Sequence, residues 1–446
     1  MKMDINLFID KVLEAAKAAG IDTAEVYYTA GENFRAGALD GEINQYQVSA
    51  SQNLSLRGTY NGKMGTSSTQ AFDDAAIQQL VEGVKESASL VETEEQDEIY
   101  AGDAEYTEIP KTESDVKETS AEAKLALCLG MEKAAKEADE RVWKVQRAMV
   151  SSGTSSIRMK NSFGLDLTDE GSYCMAYAAP IAKADGKTAT GGYMEAGSKF
   201  ADLDAERIGR KAVEETVCQL GGTPVPGGEY RIIMRFDAMQ SLLQTFAGIF
   251  SGENAQQNLS LLKGKEGEKI ASDVVTLMDD PLLPGGFGSQ RFDGEGSASR
   301  TKAVIDRGVL TTLLHSRKTA RKQGTVSTGN AHRTGGAIRV APTNFFFKPG
   351  EKDLAGLMSD VGEGLVITDL AGLHSGANPT SGDFSLLSKG YTIEGGKRGH
   401  AVEQITVAGN FYEVLKSIVA VGSDLDFSGS SIGSPSVDVG TLKVSG

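Results

Sequence analysis

The segment GGTPVPGG, residues 221–228, constrains the fold more than any other part of this sequence. Clustered glycine and proline stop both helices and strands, so the segment is the best candidate for a domain boundary. A chain of 446 residues also exceeds what one hydrophobic core usually holds, since domains of about 150 to 200 residues are typical. We therefore predict an N-terminal domain over residues 1–222 and a C-terminal domain over residues 223–446.

The N-terminal half combines helical and strand patterns. Apolar residues recur at helical spacing in four segments, which we predict to be helices: about residues 5–19, 73–90, 116–138 and 202–220. Alternating segments at 24–30 and 54–60 predict strands, and Asn61-Gly62 supplies the positive φ angles of a tight hairpin turn after the second. This half is therefore predicted to be an α+β domain.

The C-terminal half is dominated by short strands and glycine turns. A strand is followed by Asp237 and Gln240, three residues apart, which resemble a capping box at the start of a helix. Residues 303–314 and 391–397 each have a turn glycine between apolar strands, as in a hairpin. The predicted fold class is α+β, with an α+β N-terminal domain and a β-rich C-terminal domain.

Two segments have a structural interpretation and a binding alternative. Residues 92–110, ETEEQDEIYAGDAEYTEIP, are acidic and irregular, and we predict an exposed connector whose charges face solvent. An apolar stripe on the helix after residue 237 could bind a lipid or a partner, but we expect core packing. Its members are Met239, Leu242, Leu243, Phe246, Ile249 and Phe250.

Charge and apolar content exclude several classes of function. The formal net charge of -16 would repel a phosphate backbone, and no basic stripe with aromatic residues offsets it, so we expect no direct nucleic-acid binding. No apolar run is long enough to span a membrane, and the start MKMDINLFIDK places acids among its apolar residues, unlike a signal peptide. We expect a cytoplasmic protein. Cys128, Cys174 and Cys218 are odd in number and widely spaced, which predicts buried free thiols.

A long glycine, serine and asparagine loop, HSGANPTSGDFSLLSKGYTIEGGKRG at residues 374–399, resembles the signature loop of the TldD/PmbA peptidase family. Three further blocks occur in the order found in that family: FDGEGSASRTKAVIDRGVL at 292–310, STGNAHR at 327–333 and RVAPTNFFFKPG at 339–350. The resemblance covers nearly the whole chain and is strongest in its second half. It implies a cytosolic, dimer-forming protein that takes part in trimming or degrading unstructured peptides.

The resemblance also implies a zinc site in the catalytic, TldD-type members. There, two histidines of an HExxxH motif hold the ion, the glutamate serves as general base, and a cysteine near the C-terminus is a further ligand. In this chain, the matching segment is LLQTFAGIFSGEN, and the motif positions are occupied by Gln244, Thr245 and Ile249. Glutamine is a poor zinc ligand, threonine is no general base near neutral pH, and isoleucine has no lone pair. No cysteine follows Cys218, so the thiol is missing as well.

We accordingly predict a TldE-type (PmbA) subunit that is non-catalytic and holds neither zinc nor another cofactor of its own. The expected partners are a zinc-bearing TldD-type chain and an unstructured peptide substrate, with a homodimer as an option when the chain is alone. Two alternatives stay open. One is an active metallopeptidase with a rebuilt metal site, and the other is a stand-alone peptide-binding scaffold dimer. The family's link to DNA gyrase, as a modulator, does not establish a physical contact with it.

Other polar side chains are weaker candidates. Asn378, Ser381 and Asp383 in the signature loop are polar enough to contact a peptide, although asparagine, serine and aspartate also simply build turns. The histidines lie far apart in sequence, and we expect structural or surface roles for His315, His332, His374 and His400. Ser431 lies in a GxSxG pattern, but neither a helical segment nor a later histidine follows, so we expect no nucleophile there.

Overall fold

The N-terminal half is built on long strands flanked by helices. The structure, a computed structural model, describes residues 4–92, 97–110, 112–334 and 337–446. In chain order the elements of this half are α1 (Ile5–Ala18), β1 (Thr23–Leu39), β2 (Glu42–Tyr60), β3 (Lys63–Thr69), α2 (Asp74–Ser89), α3 (Ala121–Ala138), β4 (Val142–Asn161), β5 (Asp166–Ala184), β6 (Lys187–Thr190), β7 (Tyr193–Gly197) and α4 (Ala205–Val217).

These strands form one antiparallel seven-stranded sheet. Its order is β3-β2-β1-β4-β5-β6, with β7 also paired to β5. The helices α1 and α2 pack on one part of the sheet, where Phe8, Leu54 and Leu80 share a core. The helices α3 and α4 contribute to a second core, which includes Phe34 and Met131. The sheet thus carries two separate apolar clusters along its long strands.

The C-terminal half has shorter elements. In chain order they are β8 (Gly228–Met234), α5 (Phe236–Phe246), α6 (Gly252–Gln256), β9 (Leu277–Asp279), β10 (Lys302–Asp306), β11 (Val309–Leu310), α7 (Arg317–Gln323), β12 (Ala331–Thr334), β13 (Ala337–Val340), β14 (Phe345–Phe347), α8 (Leu354–Val361), β15 (Gly364–Ala371), α9 (Leu373–Gly376), β16 (Asp383–Glu394), β17 (Lys397–Asn410), α10 (Phe411–Ser417), β18 (Ala420–Val421), β19 (Ile432–Gly433) and β20 (Val437–Ser445).

Two sheets organise this half around α5. The six-stranded sheet runs β17-β16-β15-β8-β20-β18, and the five-stranded sheet runs β11-β10-β9-β14-β19. The helix α5 contacts β8 and β15 of the first sheet and β19 of the second. Its apolar stripe therefore lies inside the largest core, where every member is almost completely buried: Met239, Leu242, Leu243, Phe246, Ile249 and Phe250. The expectation of core packing is confirmed.

The predicted α+β fold class is confirmed, and so are its most local signals. Helices form within the segments predicted from helical spacing, and Asn61 and Gly62 have φ angles of 50° and 75° at the β2–β3 turn. The two predicted C-terminal hairpins form as β10–β11 and β16–β17. These features depend on short-range pattern and turn chemistry, which sequence exposes directly.

The predicted capping box at Asp237 is wrong. The helix α5 has Arg235 at its N-cap, with no side-chain cap hydrogen bond. The carboxylate of Asp237 instead pairs with the Arg235 guanidinium, which also binds Glu215 at 2.9 Å. A salt bridge to α4, across the linker, has therefore replaced the local cap.

The acidic connector is irregular, as predicted, but it is only partly exposed. Residues 93–96 lie outside the described residues, and the part from 97 to 110 contains no regular element. Ile99 is 6% exposed, the Tyr106 hydroxyl donates to the Gly296 carbonyl at 2.8 Å, and the Asp103 carboxylate accepts from the Ala298 amide at 2.7 Å. The connector therefore contacts the C-terminal half, and the prediction that its charges simply face solvent was wrong for Asp103.

The membrane prediction rests on helix length and polarity. Across the described ranges, every helix is too short or too polar to span a bilayer.

Candidate functional site

The three positions of the replaced zinc motif lie on and just after α5. Gln244 is exposed, and Thr245 is partly buried with its hydroxyl donating to the Ser241 carbonyl at 2.9 Å. Ile249 is 1% exposed and belongs to the central core. The first and last motif positions therefore lie in different environments, one at the surface and one among apolar side chains.

The local backbone explains this divergence. The α-helix ends at Phe246, and residues 247–250 continue as a 3₁₀ turn with fewer residues per turn. Ser251 then caps α6, with its hydroxyl accepting from the Asn254 amide. The side chain of Asn254 donates to the Gly248 carbonyl at 2.9 Å, which fixes the turn from within.

The residues at these positions do not fit a zinc ion. Zinc in proteins takes cysteine, histidine or carboxylate donors, and the three motif positions supply an amide, a hydroxyl and a hydrocarbon. Over residues 4–92, 97–110, 112–334 and 337–446, no three or more histidine, cysteine, aspartate or glutamate side chains form a group that could hold a metal. No metal-dependent step is assigned to this chain.

The signature loop lies beside α5. The short helix α9 begins after Gly372, whose φ of 81° is in the left-handed region, and α9 contacts α5. Beyond it, the Asn378 side-chain oxygen accepts from the backbone amides of Thr380 and Ser381 at 3.0 and 3.2 Å. Asn378 therefore builds the turn that presents the rest of the loop.

The other two loop candidates are joined to the start of α10. The Ser381 hydroxyl donates to one oxygen of Asp383 at 2.8 Å, and the Asn410 amide donates to the other at 2.8 Å. The Asn410 and Ser381 hydrogen bonds hold the pKa of the exposed Asp383 carboxyl below its usual value. The structure thus brings Asn378, Ser381 and Asp383 together in one hydrogen-bonded loop, and their contact with peptide stays a prediction.

The histidines are dispersed over the C-terminal half. His315 is 1% exposed with its Nδ1 atom 3.1 Å from the Thr319 hydroxyl, and burial lowers its pKa. Burial also lowers the pKa of His332, on β12. His400 is exposed with Nδ1 2.9 Å from Glu394, and His374 is exposed on α9. The four histidine rings therefore have different neighbours and different exposures.

The remaining sequence candidates have structural surroundings. Ser431 precedes the two-residue strand β19, and its carbonyl accepts from the Phe345 amide at 2.8 Å. This is not a strand-to-helix elbow. All three cysteines are free, as predicted, but the predicted burial is right only for Cys128 and Cys174, because Cys218 is partly exposed. Burial raises the pKa of the Cys128 and Cys174 thiols to about 11.

Sequence reasoning missed a buried charged junction between the two halves. Glu25 on β1 is paired with Arg333 on β12 and lies 3.5 Å from Arg57 on β2, and all three side chains are at most 5% exposed. The turn FDGEG, at the start of the block 292–310, adds the buried Asp293 and Glu295 to this region. The signal available in sequence was two acids placed among glycine and apolar residues.

Burial controls the protonation of that turn. Desolvation raises the pKa of Asp293 to about 6, against hydrogen bonds from the amides of Ala331, Glu295 and Ser297. Desolvation, then the nearby Asp293, raises the pKa of Glu295 to about 7. Glu295 also accepts from the Arg317 amide at 2.7 Å, at the start of α7. Both carboxyls therefore titrate close to neutral pH.

Comparison with known proteins assigns the class first. Three metallopeptidase domain models match in order: the PmbA/TldA metallopeptidase domain 1 over residues 24–88, the central domain over 114–220 and the C-terminal domain over 227–446. The protein thus has the domains of a metallopeptidase. The chain belongs to the PmbA/TldD metallopeptidase family.

Full-length relatives agree with that assignment. A metalloprotease PmbA homolog of Haemophilus influenzae is 25% identical, covering 100% of this chain and 97% of the relative. A Thermotoga maritima structure, described as a proposed modulator of a DNA gyrase, is 32% identical with a TM-score of 0.93, covering 99% of this chain and 100% of that one. The structure of TldE from Thermococcus kodakarensis, at 23% identity, has a TM-score of 0.90 over 98% of this chain and 100% of that chain, which shows the common fold.

Proposed function

We propose that this chain is the TldE-type, non-catalytic subunit of a cytoplasmic two-component metallopeptidase that acts on unstructured peptides. Zinc and the general base would come from a TldD-type partner that retains the HExxxH motif. The family assignment supports the reaction class, and the motif positions without zinc donors support the choice of subunit.

The observation that carries the proposal is the arrangement at Gln244, Thr245 and Ile249. Two ligand positions and the base position hold side chains without the required chemistry. Ile249 also fills the core at 1% exposure, so this position contributes packing where a catalytic chain would need a donor facing the reaction space.

The signature loop is the proposed place of peptide contact in this chain. The Asn378 oxygen is occupied by two backbone amides, which leaves its side-chain NH₂ group as the donor toward a peptide. Asp383 is exposed and carries a negative charge across the physiological range, since its pKa is held low. Asn378 would donate to a peptide carbonyl and Asp383 would accept from a peptide N–H, so this loop would favour an extended backbone.

Reconstitution tests the proposal. The chain is purified alone and together with a family relative that keeps HExxxH, and both are run on gel filtration and assayed on an unstructured peptide. We expect no cleavage by the chain alone, co-elution with the relative, and chelator-sensitive cleavage by the pair. Chelator-sensitive cleavage by the chain alone would instead identify an active metallopeptidase.

Paired variants locate the chemistry. Gln244→Ala in this chain should leave the activity of the pair unchanged, while His→Ala in the HExxxH motif of the relative should abolish it. If the two chains never associate and this chain does not alter cleavage by the relative, the protein is a stand-alone scaffold and the subunit proposal fails.

A further inference from the structure

Two leucines are exposed beside the 3₁₀ turn that holds the last position of the replaced zinc motif. Leu259 and Leu261 are 46% and 60% exposed, and Ser260 between them is 4% exposed. The Ser260 hydroxyl donates to the Ile249 carbonyl at 2.5 Å, which attaches this segment to the motif turn. Because the serine is held inward, both leucines present their side chains to solvent.

The same segment is joined to the signature loop through one tyrosine. The Leu261 amide donates to the Tyr412 hydroxyl at 3.2 Å, and that hydroxyl donates to the Thr380 carbonyl at 3.4 Å. A Cβ atom at Gly382, where φ is 84°, would lie 2.5 Å from the Tyr412 ring, so the ring packs directly on the loop backbone. The exposed leucines therefore lie next to the signature loop, in a position fixed by hydrogen bonds.

The loop and the two leucines supply complementary chemistry. Asn378 and Asp383 offer a donor and an acceptor to a peptide backbone, and every peptide has the same backbone, so these contacts cannot select a sequence. Leu259 and Leu261 offer hydrocarbon, which gains free energy when an apolar side chain covers it. An extended peptide advances about 3.4 Å per residue, so a backbone bound at the loop can bring a side chain to the leucines within a few residues.

We propose that Leu259 and Leu261 form a specificity surface that selects unstructured peptides carrying a large aliphatic or aromatic side chain. The inference rests on the proposed peptide contact of the signature loop and adds a sequence preference that the loop alone lacks. The two leucines bind the substrate side chain and take no part in the chemistry. Single exposed leucines are common on protein surfaces, but these two flank a buried anchor between the motif turn and the loop.

Peptide binding tests this preference without cleavage. A labelled host peptide of glycine and serine carries leucine, phenylalanine or serine at its centre, and its Kd is measured by fluorescence anisotropy. The chain is measured alone and together with a family relative whose HExxxH glutamate is replaced by glutamine. The leucine and phenylalanine peptides should bind at least about fivefold more tightly than the serine peptide, because only they bury apolar surface.

Substitutions locate the preference. The double variant Leu259→Ser, Leu261→Ser should bind all three peptides about as weakly as the wild-type chain binds the serine peptide. Leu261→Lys should bind a host peptide with a central aspartate more tightly than the wild-type chain does, a gain that an unfolded variant could not show. Leu90→Ser is the matched control, because Leu90 is 79% exposed at the end of α2 in the N-terminal half, and it should keep the full preference.

Three outcomes would overturn the proposal. The first is equal or undetectable binding of the leucine and serine peptides in both arrangements, and the second is a preference that survives in the double variant. The third is weaker association of the double variant with the relative while peptide selection is unchanged, which would assign the leucines to the contact with that chain. Failure of the subunit proposal is distinguishable from these outcomes, since the chain alone would then still prefer apolar peptides.

Discussion

Glu25 on β1 and Arg333 on β12 are 308 residues apart in sequence and form an ion pair that is almost wholly buried. The Arg333 guanidinium also donates to the Gly294 carbonyl at 2.5 Å and lies over the Tyr27 ring at 4.5 Å. This pair joins the N-terminal sheet to the C-terminal half, with both side chains at most 5% exposed.

Arg333→Met should therefore be strongly destabilising. It leaves the Glu25 carboxylate buried with only the looser Arg57 contact at 3.5 Å, and losing one partner of a buried pair costs about 3 to 5 kcal/mol. Urea denaturation measures the free energy of unfolding. Lys133→Met is the control, because Lys133 is 73% exposed and 4.0 Å from Glu137, and it should cost less than about 1 kcal/mol. Similar losses of unfolding free energy in both variants would contradict a strong contribution of the buried Glu25–Arg333 pair to stability.

The raised pKa of Glu295 predicts a pH dependence of stability. Its folded pKa of about 7 lies above its ordinary value of 4.5, so the protonated form is favoured by folding. The stabilisation is fully present below pH 4.5 and is lost as pH rises through about 7, by up to about 3 kcal/mol.

Glu295→Gln removes this titration. In chemical denaturation, the free energy of unfolding should therefore change less between pH 5 and pH 8 than it does in the wild-type chain, because one carboxyl with a raised pKa is lost. Glu137→Gln, at an exposed helical position, should keep the wild-type slope. An unchanged slope in Glu295→Gln would mean that this carboxyl is ionised without penalty in the folded chain.

The α5 helix should be held mainly by its buried ring contacts. Phe246 stacks on Phe411 with centroids 4.7 Å apart and rings inclined by 8°, and both are fully buried. Phe246→Ala should lower the free energy of unfolding by about 3 to 5 kcal/mol, because the cavity cannot fully collapse. Phe163→Ala, at 53% exposure, should cost much less. Thermal and chemical melts of both variants measure the two costs. Equal costs would contradict the core position of α5.

Two substitutions of Asn410 should distinguish its role as the cap of α10 from its role in anchoring the signature loop. Its oxygen accepts from the Tyr412 and Glu413 amides, and its nitrogen donates to the Ser381 carbonyl and Asp383 carboxylate. Asn410→Ala should cost about 1 to 2 kcal/mol through the lost cap, and Asn410→Ser should restore most of it.

Asn410→Ser still lacks the two bonds to the loop, so it should raise the KM of the reconstituted peptidase while kcat changes little. An unchanged KM with restored stability would remove the signature loop from the peptide path.

Sequence revealed the fold where short-range pattern decides structure. The helix over α1 and the turn at Asn61-Gly62 follow from spacing and from residues that tolerate positive φ. The start of α5 was missed because the partner of Arg235 is Glu215, on the far side of the linker. The Glu25–Arg333 ion pair could not be predicted for the same reason, since the sequence around each residue does not indicate its distant partner.

The candidate site was predictable only in its chemistry. The sequence supplied the residue types at Gln244, Thr245 and Ile249, and these already lack zinc donors. The burial of Ile249 was foreseen from the apolar stripe, but the change from α-helix to 3₁₀ turn after Phe246 was not. That turn is fixed by the Asn254 side chain donating to the Gly248 carbonyl, a contact that apolar periodicity does not encode.

Zinc content of the purified chain tests the central claim most directly. The chain is expressed in zinc-supplemented medium, purified without chelator, and measured by elemental analysis together with peptide cleavage. We expect far less than one zinc per chain and no chelator-sensitive cleavage. One zinc per chain, with cleavage that is lost on chelation and restored by zinc, would contradict the account and identify a metal site formed by other residues of this chain.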